Sequence, residues 1–299
     1  MRIIITGASG FVGSNLSAFL KEKQANVVAL SLRDENWRNH LDRSSDVLIH
    51  LAGKAHDTAN AASDEQYYKV NTELTKNLYD EFLGSGIRDF FYFSSVKAAA
   101  DTVNSFLDEQ HPPDPQTAYG KSKRRAEDYL LSHALPPGKR LFIIRPCMIH
   151  GPGNKGNLNL LYKMVSRNMP WPLAAFQNQR SFLSIDNLQF LVWQMIQKEM
   201  PSGVYHFADD QPISTNHLVQ LISMATGKKV KLWNIPQKLI SFAAQSGDLL
   251  SLPLNTERLK KLTESYVVTN AKIKEVLGIE NLPVKAEEGL LKTLKSFNK

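Results

Sequence analysis

The chain begins with an apolar run, Ile3-Ile4-Ile5, followed at once by three glycines spaced three apart, Gly7, Gly10 and Gly13. β-Branched residues in an unbroken run read as a strand buried on both faces, and the amphipathic spacing from about Phe11 reads as a helix. Strand, tight turn and helix are therefore expected at the very start. Glycines in such a turn let the backbone approach a pyrophosphate, and the free amides and dipole of the helix N-terminus stabilise its charge. No Gly-Lys-Ser/Thr ending follows, which disfavours a nucleoside-triphosphate loop.

Further apolar strands near Val27, Val47, Phe90 and Phe142 alternate with helical stretches around Asn15, Tyr68 to Leu83 and Lys123 to Leu131. Alternation of this kind predicts an α/β fold, a Rossmann-like doubly wound parallel sheet. At 299 residues and 42% hydrophobic content the chain can bury a sizeable core and suggests two lobes. Beyond Pro146 the pattern loosens. We expect a dinucleotide-binding domain over 1–147 and, over 148–299, mainly a smaller mixed α/β C-terminal substrate-binding lobe.

Chemistry enters with Tyr119 and Lys123, four residues apart in Thr-Ala-Tyr-Gly-Lys-Ser-Lys and so on one face if the segment is helical. A phenol with a pKa near ~10 carries protons poorly at neutral pH, but a close ammonium pulls that value down. Tyr119 can then donate or accept a proton with Lys123 as its tuner, and the run Phe90-Phe91-Tyr92-Phe93-Ser94-Ser95 reads as a strand ending in two hydroxyls. A lone Tyr-x-x-x-Lys match is more often a solvated basic run, and here it gains weight from the company it keeps.

These motifs, with His50-Leu51-Ala52-Gly53, Val70-Asn71, Arg145-Pro146, Gly151-Pro152 and Arg180-Ser181-Phe182-Leu183-Ser184-Ile185-Asp186, resemble the extended short-chain dehydrogenase/reductase family in its nucleotide-sugar epimerase, dehydratase and reductase branch. The resemblance implies a catalytic triad of Ser95, Tyr119 and Lys123. It implies cofactor contacts at Gly7, Ser9, Gly10, Phe11, Val12 and Gly13, then at Leu51, Ala52 and Gly53, with Asn71 in support. Tyr119 and Lys123 also face the cofactor, Lys123 through the nicotinamide ribose. Substrate contacts are implied at Ser95, Lys97, Asn157 and Arg180, with Arg180 on the diphosphate. It further implies a UDP-sugar substrate, a homodimer, and a chain that returns to the nucleotide-binding domain near 184–208.

Cofactor choice turns on the residues after the second strand. Where an acidic residue would accept from the ribose diol stands Ser31, with Arg33 two positions on. A missing carboxylate removes repulsion against a 2'-phosphate and an arginine can bind one, so NADP(H) is favoured over NAD(H). Asp34 sliding into the acidic position is the alternative. Trp37 is either a stacking partner for adenine or a packed loop residue.

Ser95 is followed by Val96 and Lys97 rather than the Asp-Glu pair that resembled dehydratases use, so dehydration is disfavoured. Ser94-Ser95-Val96-Lys97, the loop Gly151 to Asn157 and Leu262 to Ser265 look most like bacterial UDP-N-acetyl-sugar 4-ketoreductases. The expected activity is an NAD(P)-dependent UDP-4-keto-6-deoxy-hexosamine reductase in surface-polysaccharide precursor synthesis. The alternative is a UDP-hexose or UDP-N-acetylhexosamine 4-epimerase. Met148 and Ser184, where many such epimerases have Asn and His, weaken that alternative. A silent cofactor-binding scaffold is disfavoured by retention of all three catalytic groups.

Other classes find little support. The net charge of +7 is spread along the chain without a nucleic-acid motif. Eight scattered histidines and a single cysteine, Cys147, offer neither metal-ligand spacing nor a disulfide. No signal peptide or run of about 18 apolar residues is present. A cytoplasmic enzyme with no membrane, metal or nucleic-acid partner is the expectation.

Overall fold

The computed structural model describes residues 1–54, 63–154, 157–250 and 255–297, without the side chains of Asn157 and Leu250. The glycine turn joins β1 (Arg2–Thr6) to α1 (Phe11–Glu22), and the chain continues through β2 (Asn26–Leu30) and β3 (Val47–His50). Next come α2 (Asp64–Tyr67), a π-helical turn (Tyr68–Glu73), α3 (Leu74–Leu83), β4 (Asp89–Phe93), a short 3-10 turn (Val96–Ala98) and α4 (Ala118–Leu131). β5 (Arg140–Pro146), β6 (Met148–His150), α5 (Asn157–Ser166), β7 (Phe182–Ser184), α6 (Ile185–Gln197) and β8 (Gly203–Phe207) follow. Last are α7 (Thr215–Thr226), α8 (Gln237–Leu250), α9 (Thr256–Thr263), α10 (Ala271–Leu277) and α11 (Ala286–Ser296).

Six parallel strands form the central sheet in the order β2-β1-β3-β4-β5-β8. Strand side chains alternate between faces, and the sequence supplies apolar groups for both. Ile3, Ile5, Phe91, Phe93, Phe142 and Ile144 join residues of α1, α6 and α10 in one core. Ile4, Leu48, Phe90, Tyr92, Leu141 and Ile143 meet α3 and α4 on the other face. The unbroken apolar runs are thus explained by a sheet covered on both sides. Trp37 is 3% exposed and packed with Leu30 and Leu41 in this second core, so of the two roles considered for it the structural one holds.

A separate core gathers α5, α7, α8, α9 and α11, through residues such as Leu158, Val165, Leu218, Ile222, Ile240, Leu259 and Leu290. Its sheet content is small: β6 and β7 pair in parallel as a two-stranded unit. Isolated bridges tie distant segments together, Leu107 to Val268 and Arg180 to both Ile213 and Tyr266.

Strand order changes direction between β1 and β3, where ligands of open α/β sheets bind, beyond the carboxyl ends of the strands. Gly7, at φ +69, sits in that crevice, and a Cβ on it would lie 2.7 Å from the Ala52 amide nitrogen. The two loops therefore close on one another only because residue 7 has no side chain.

Candidate active site

The glycine turn is held by Gly10 N–H donating to the Gly7 carbonyl at 3.0 Å. Gly13, buried on the first turn of α1, would bring a Cβ within 2.2 Å of that same carbonyl, so the helix start is pressed directly onto the turn. Ser9 and Gly10 stay exposed while Phe11 and Val12 are partly buried, leaving the free amides of α1 open at the crevice. Leu51, Ala52 and Gly53 form the facing wall. A Cβ on Gly53 would lie 3.1 Å from Asn71 Oδ1 and 3.2 Å from Lys123 Nζ. Two close approaches of backbone to backbone, an open helix N-terminus and a glycine beside an ammonium fit a dinucleotide: the amides of α1 would hold its pyrophosphate, and Lys123 would stand by its nicotinamide ribose.

A buried chain of hydrogen bonds braces this wall. Thr75 Oγ1 donates to the Asn71 carbonyl at 2.8 Å, so it accepts from His50 Nε2, 2.9 Å away. Thr6 Oγ1 in turn donates to His50 Nδ1 at 2.7 Å and accepts from the Ala52 amide at 3.2 Å. His50 is neutral here, its pKa pushed down to about 3 by burial and then by the charge on Lys123. Asn71 closes the chain, accepting from the Lys54 amide at 2.7 Å and donating to Ser122 Oγ at 3.0 Å. It lies on the π-helical turn, a wider turn that often marks functional positions. The helical stretch expected from Tyr68 to Leu83 is present, wound as this π-helical turn up to Glu73 and as α3 from Leu74.

Tyr119 and Lys123 stand on α4, whose N-cap Thr117 accepts from the Gly120 amide at 3.2 Å. Asp101 fixes the approach, accepting from the amides of Gln116 and Thr117 at 2.7 and 3.1 Å. A Cβ on Gly120 would meet the Lys97 carbonyl at 2.4 Å, so α4 docks tightly on the turn that follows Ser95. Lower on the helix, Glu127 takes a bidentate, fully buried pair of bonds from Arg145 of β5, the one to Nε at 2.9 Å. Breaking such a pair would leave a buried charge alone, which makes α4 hard to displace.

Ser95 is hydrogen-bonded to the Tyr119 side chain, and its Oγ accepts from the Lys97 amide at 3.2 Å. Lys123 Nζ donates to the Phe93 carbonyl at 2.9 Å and lies 5.0 Å above the Tyr92 ring. Ser95, Tyr119 and Lys123 therefore gather at the carboxyl end of β4. The expected tuning differs. Burial pushes the Tyr119 phenol above its ordinary value, with the Ser95 bond opposing and Tyr67, edge-on at 6.1 Å, adding to the rise. Lys123 is itself pushed down to about 8 by burial, with Glu127 opposing. Burial, rather than the Lys123 charge, sets the direction of the Tyr119 shift in this arrangement.

Beyond Ser95, Lys97 Nζ donates to the Asp101 carbonyl at 2.8 Å and rests 4.2 Å above the Tyr266 ring. Burial lowers the Lys97 pKa, and Arg180 is near enough to lower it further. Arg180 donates to the Lys261 carbonyl, and burial lowers its pKa as well. Tyr266, absent from the sequence reading, anchors the pair by donating to the Ala100 carbonyl at 2.6 Å. Its isolated bridge to Arg180 has no periodic signature in the sequence. A polar cleft of about 450 Å³, lined by Gln177, Asn178, Gln179, Ser214 and Asn216, opens on the segment leading to Arg180. Ser184 is not a site residue: it is buried and caps α6 by accepting from Asn187 N–H at 3.1 Å. The Asn157 side chain lies outside the described residues. Ser31 and Arg33 are exposed beyond the end of β2.

Residues 3–208 match the family described as the NAD dependent epimerase/dehydratase family. The chain belongs to that family. It is 29% identical over 318 residues to a UDP-glucose 4-epimerase of Vibrio cholerae, covering 99% of this chain and 95% of that one. An Escherichia coli O157:H7 N-acetyl-alpha-D-glucosaminyl-diphospho-ditrans,octacis-undecaprenol 4-epimerase is 27% identical over 91% of this chain and 84% of its own. A Pseudomonas aeruginosa UDP-2-acetamido-2,6-beta-L-arabino-hexul-4-ose reductase is 31% identical over 53% of this chain and 38% of its own. Among solved structures, UDP-N-acetylglucosamine 4-epimerase from Bacillus cereus superposes with a TM-score of 0.79 at 19% identity, covering all of both chains. RMD from Pseudomonas aeruginosa complexed with NADPH gives 0.76 at 20%, covering 99% of this chain and 98% of that one. These likenesses show the Rossmann-like fold. The family is one of nucleotide-sugar epimerases and reductases working with NAD(P), and relatives of both kinds are present.

Proposed function

We propose that the chain is an NADP(H)-dependent 4-ketoreductase acting on a UDP-linked 4-keto-6-deoxy-N-acetylhexosamine. The carrying observation is the tip of β2. Ser31 and Arg33 are both exposed there, and Arg33 makes no ion pair among the described residues. Asp34, the competing acidic group, is turned into its own loop, accepting from the Asn36 amide at 2.9 Å with His40 Nε2 3.4 Å away. That leaves a cation where a 2'-phosphate would sit and removes a carboxylate that would repel it. A cofactor drawn from the NADPH pool and exchanged at every turnover suits a reductase.

A bound reduced nicotinamide supplies the hydride. Ser95 bonds and orients the keto oxygen, and Tyr119 delivers the proton that turns it into a hydroxyl. The phenol, its pKa raised by burial, is protonated at neutral pH, the state from which donation starts. Lys97 and Arg180 hold the diphosphate side. Neither Val96 nor Lys97 supplies the carboxylates that dehydration would require.

The epimerase reading keeps one specific support: the Vibrio cholerae epimerase matches nearly end to end, whereas the UDP-2-acetamido-2,6-beta-L-arabino-hexul-4-ose reductase matches about half of the chain. One assay separates the two. The 4-keto sugar is expected to consume NADPH in stoichiometric amount, with no appreciable interconversion of UDP-glucose and UDP-galactose or of their N-acetyl forms. Rapid interconversion with retained NAD and no response to the keto sugar would establish the epimerase.

A further inference from the structure

Residues 228–249 present an unusual surface. α8 is seated on its core by Ile240 and Ala244, at 7% and 0% exposure, while Leu239, Phe242 and Leu249 on the same helix are 61%, 70% and 86% exposed. The segment leading into α8 adds Leu232 and Trp233, at 37% and 50%. That segment is firmly placed, since the Trp171 amide donates to the Lys231 carbonyl and the Trp233 amide to the Trp171 carbonyl, both at 2.8 Å. Leu232 and Trp233 are therefore held in place while facing water.

The charge along this stretch is mostly positive. Lys228, Lys229, Lys231 and Lys238 lie in the same stretch and are exposed, and none forms an ion pair with a carboxylate among the described residues. Asp248, exposed near the end of α8 and accepting from the Thr256 amide at 3.1 Å, is the one carboxylate among residues 228–249. A helix with exposed Leu and Phe, a flanking Trp and a rim of lysines has the chemistry of an interfacial membrane segment, whose rings and aliphatic groups enter the headgroup boundary while ammonium groups meet anionic lipid. A two-fold pairing of this face with a second copy would set the same lysines against each other.

We propose that this surface docks the protein peripherally on an anionic lipid bilayer. No helix among the described residues is long and apolar enough to cross a membrane, so the association is with the surface alone. Docking stands apart from the choice between reductase and epimerase, because it requires neither cofactor nor sugar.

Flotation of the full chain with phosphatidylcholine vesicles, with and without phosphatidylglycerol, tests it. Binding to the anionic vesicles is expected, with little to the neutral ones, and added salt should weaken it. Each of Lys228→Gln, Lys229→Gln and Lys231→Gln should lower partitioning roughly fivefold. Phe242→Ser should also lower it, with unfolding temperature and NADPH affinity kept. Equal binding to both vesicles, or no binding, overturns the proposal. So does light scattering that shows a parent dimer made monomeric by Phe242→Ser, which would assign the face to a second copy.

Discussion

The proposed cofactor wall and the proposed substrate wall of the cleft are built by different means. The first is backbone held by small or neutral groups: glycines with no room for a Cβ, and the relay from Thr6 through His50 and Thr75 to Asn71. The second rests on long cationic side chains, Lys97 and Arg180, each fastened to a carbonyl and gathered around Tyr266. A wall of backbone has one shape, so it suits a ligand part common to every reaction of the family. A wall of long side chains can be re-aimed by single substitutions, and reaction and sugar choice can diverge there while the first wall stays unchanged.

Removing the group that serves both walls should have the largest effect. Tyr119→Phe is expected to lower kcat by ~10²- to 10⁴-fold with NADPH affinity unchanged. Titration and turnover on one preparation check it, and parent-like turnover would remove Tyr119 as proton carrier. Arg180→Ala comes next. Loss of a charge-assisted contact of ~1.5–3 kcal/mol should raise the KM of the nucleotide sugar roughly ten- to hundredfold and leave NADPH binding alone. A matching loss of NADPH affinity would show that the walls are not separable.

The smallest effect is on stability. Lys123 has a pKa of about 8 in the fold against the ordinary 10.5, so the buried ammonium costs stability below pH 8. As pH rises from 8 to 10.5 the unfolded chain holds more protons than the folded one, and the cost is relieved. Lys123→Met keeps the stem and deletes the charge. Its Tm should exceed the parent's by about a few degrees at pH 7, less what is lost with the Phe93 contact, and the gap should close across that window. A parent more stable at pH 7 would show that the bonds to the ammonium outweigh its burial.

What the sequence revealed follows the same division. Gly7, Gly13, Ser95, Tyr119 and Lys123 stand in fixed local spacings, because a turn and a helix impose them, and such spacings are visible in a linear string. Tyr266 could not be seen that way, since its place beside Lys97 depends on isolated bridges joining residues 107, 180, 213, 266 and 268. The Tyr119 pKa was misjudged for a related reason. Spacing reports that an ammonium is near, while the amount of water excluded from a phenol depends on the whole surrounding fold. The π-helical winding of Tyr68–Glu73 likewise goes with Asn71 bonding both a loop and α4.

The position of β8 also bears on how the chain is made. Five strands of the sheet are complete in sequence by Pro146, but the strand that covers the free side of β5 spans Gly203–Phe207. On a ribosome, dozens of residues must still emerge before that edge is covered. In the interval Phe142 to Pro146 offers unpaired amides and carbonyls beside apolar side chains, the kind of edge that recruits other chains. A nascent chain stalled between these points is therefore the species most exposed to aggregation and most dependent on chaperones.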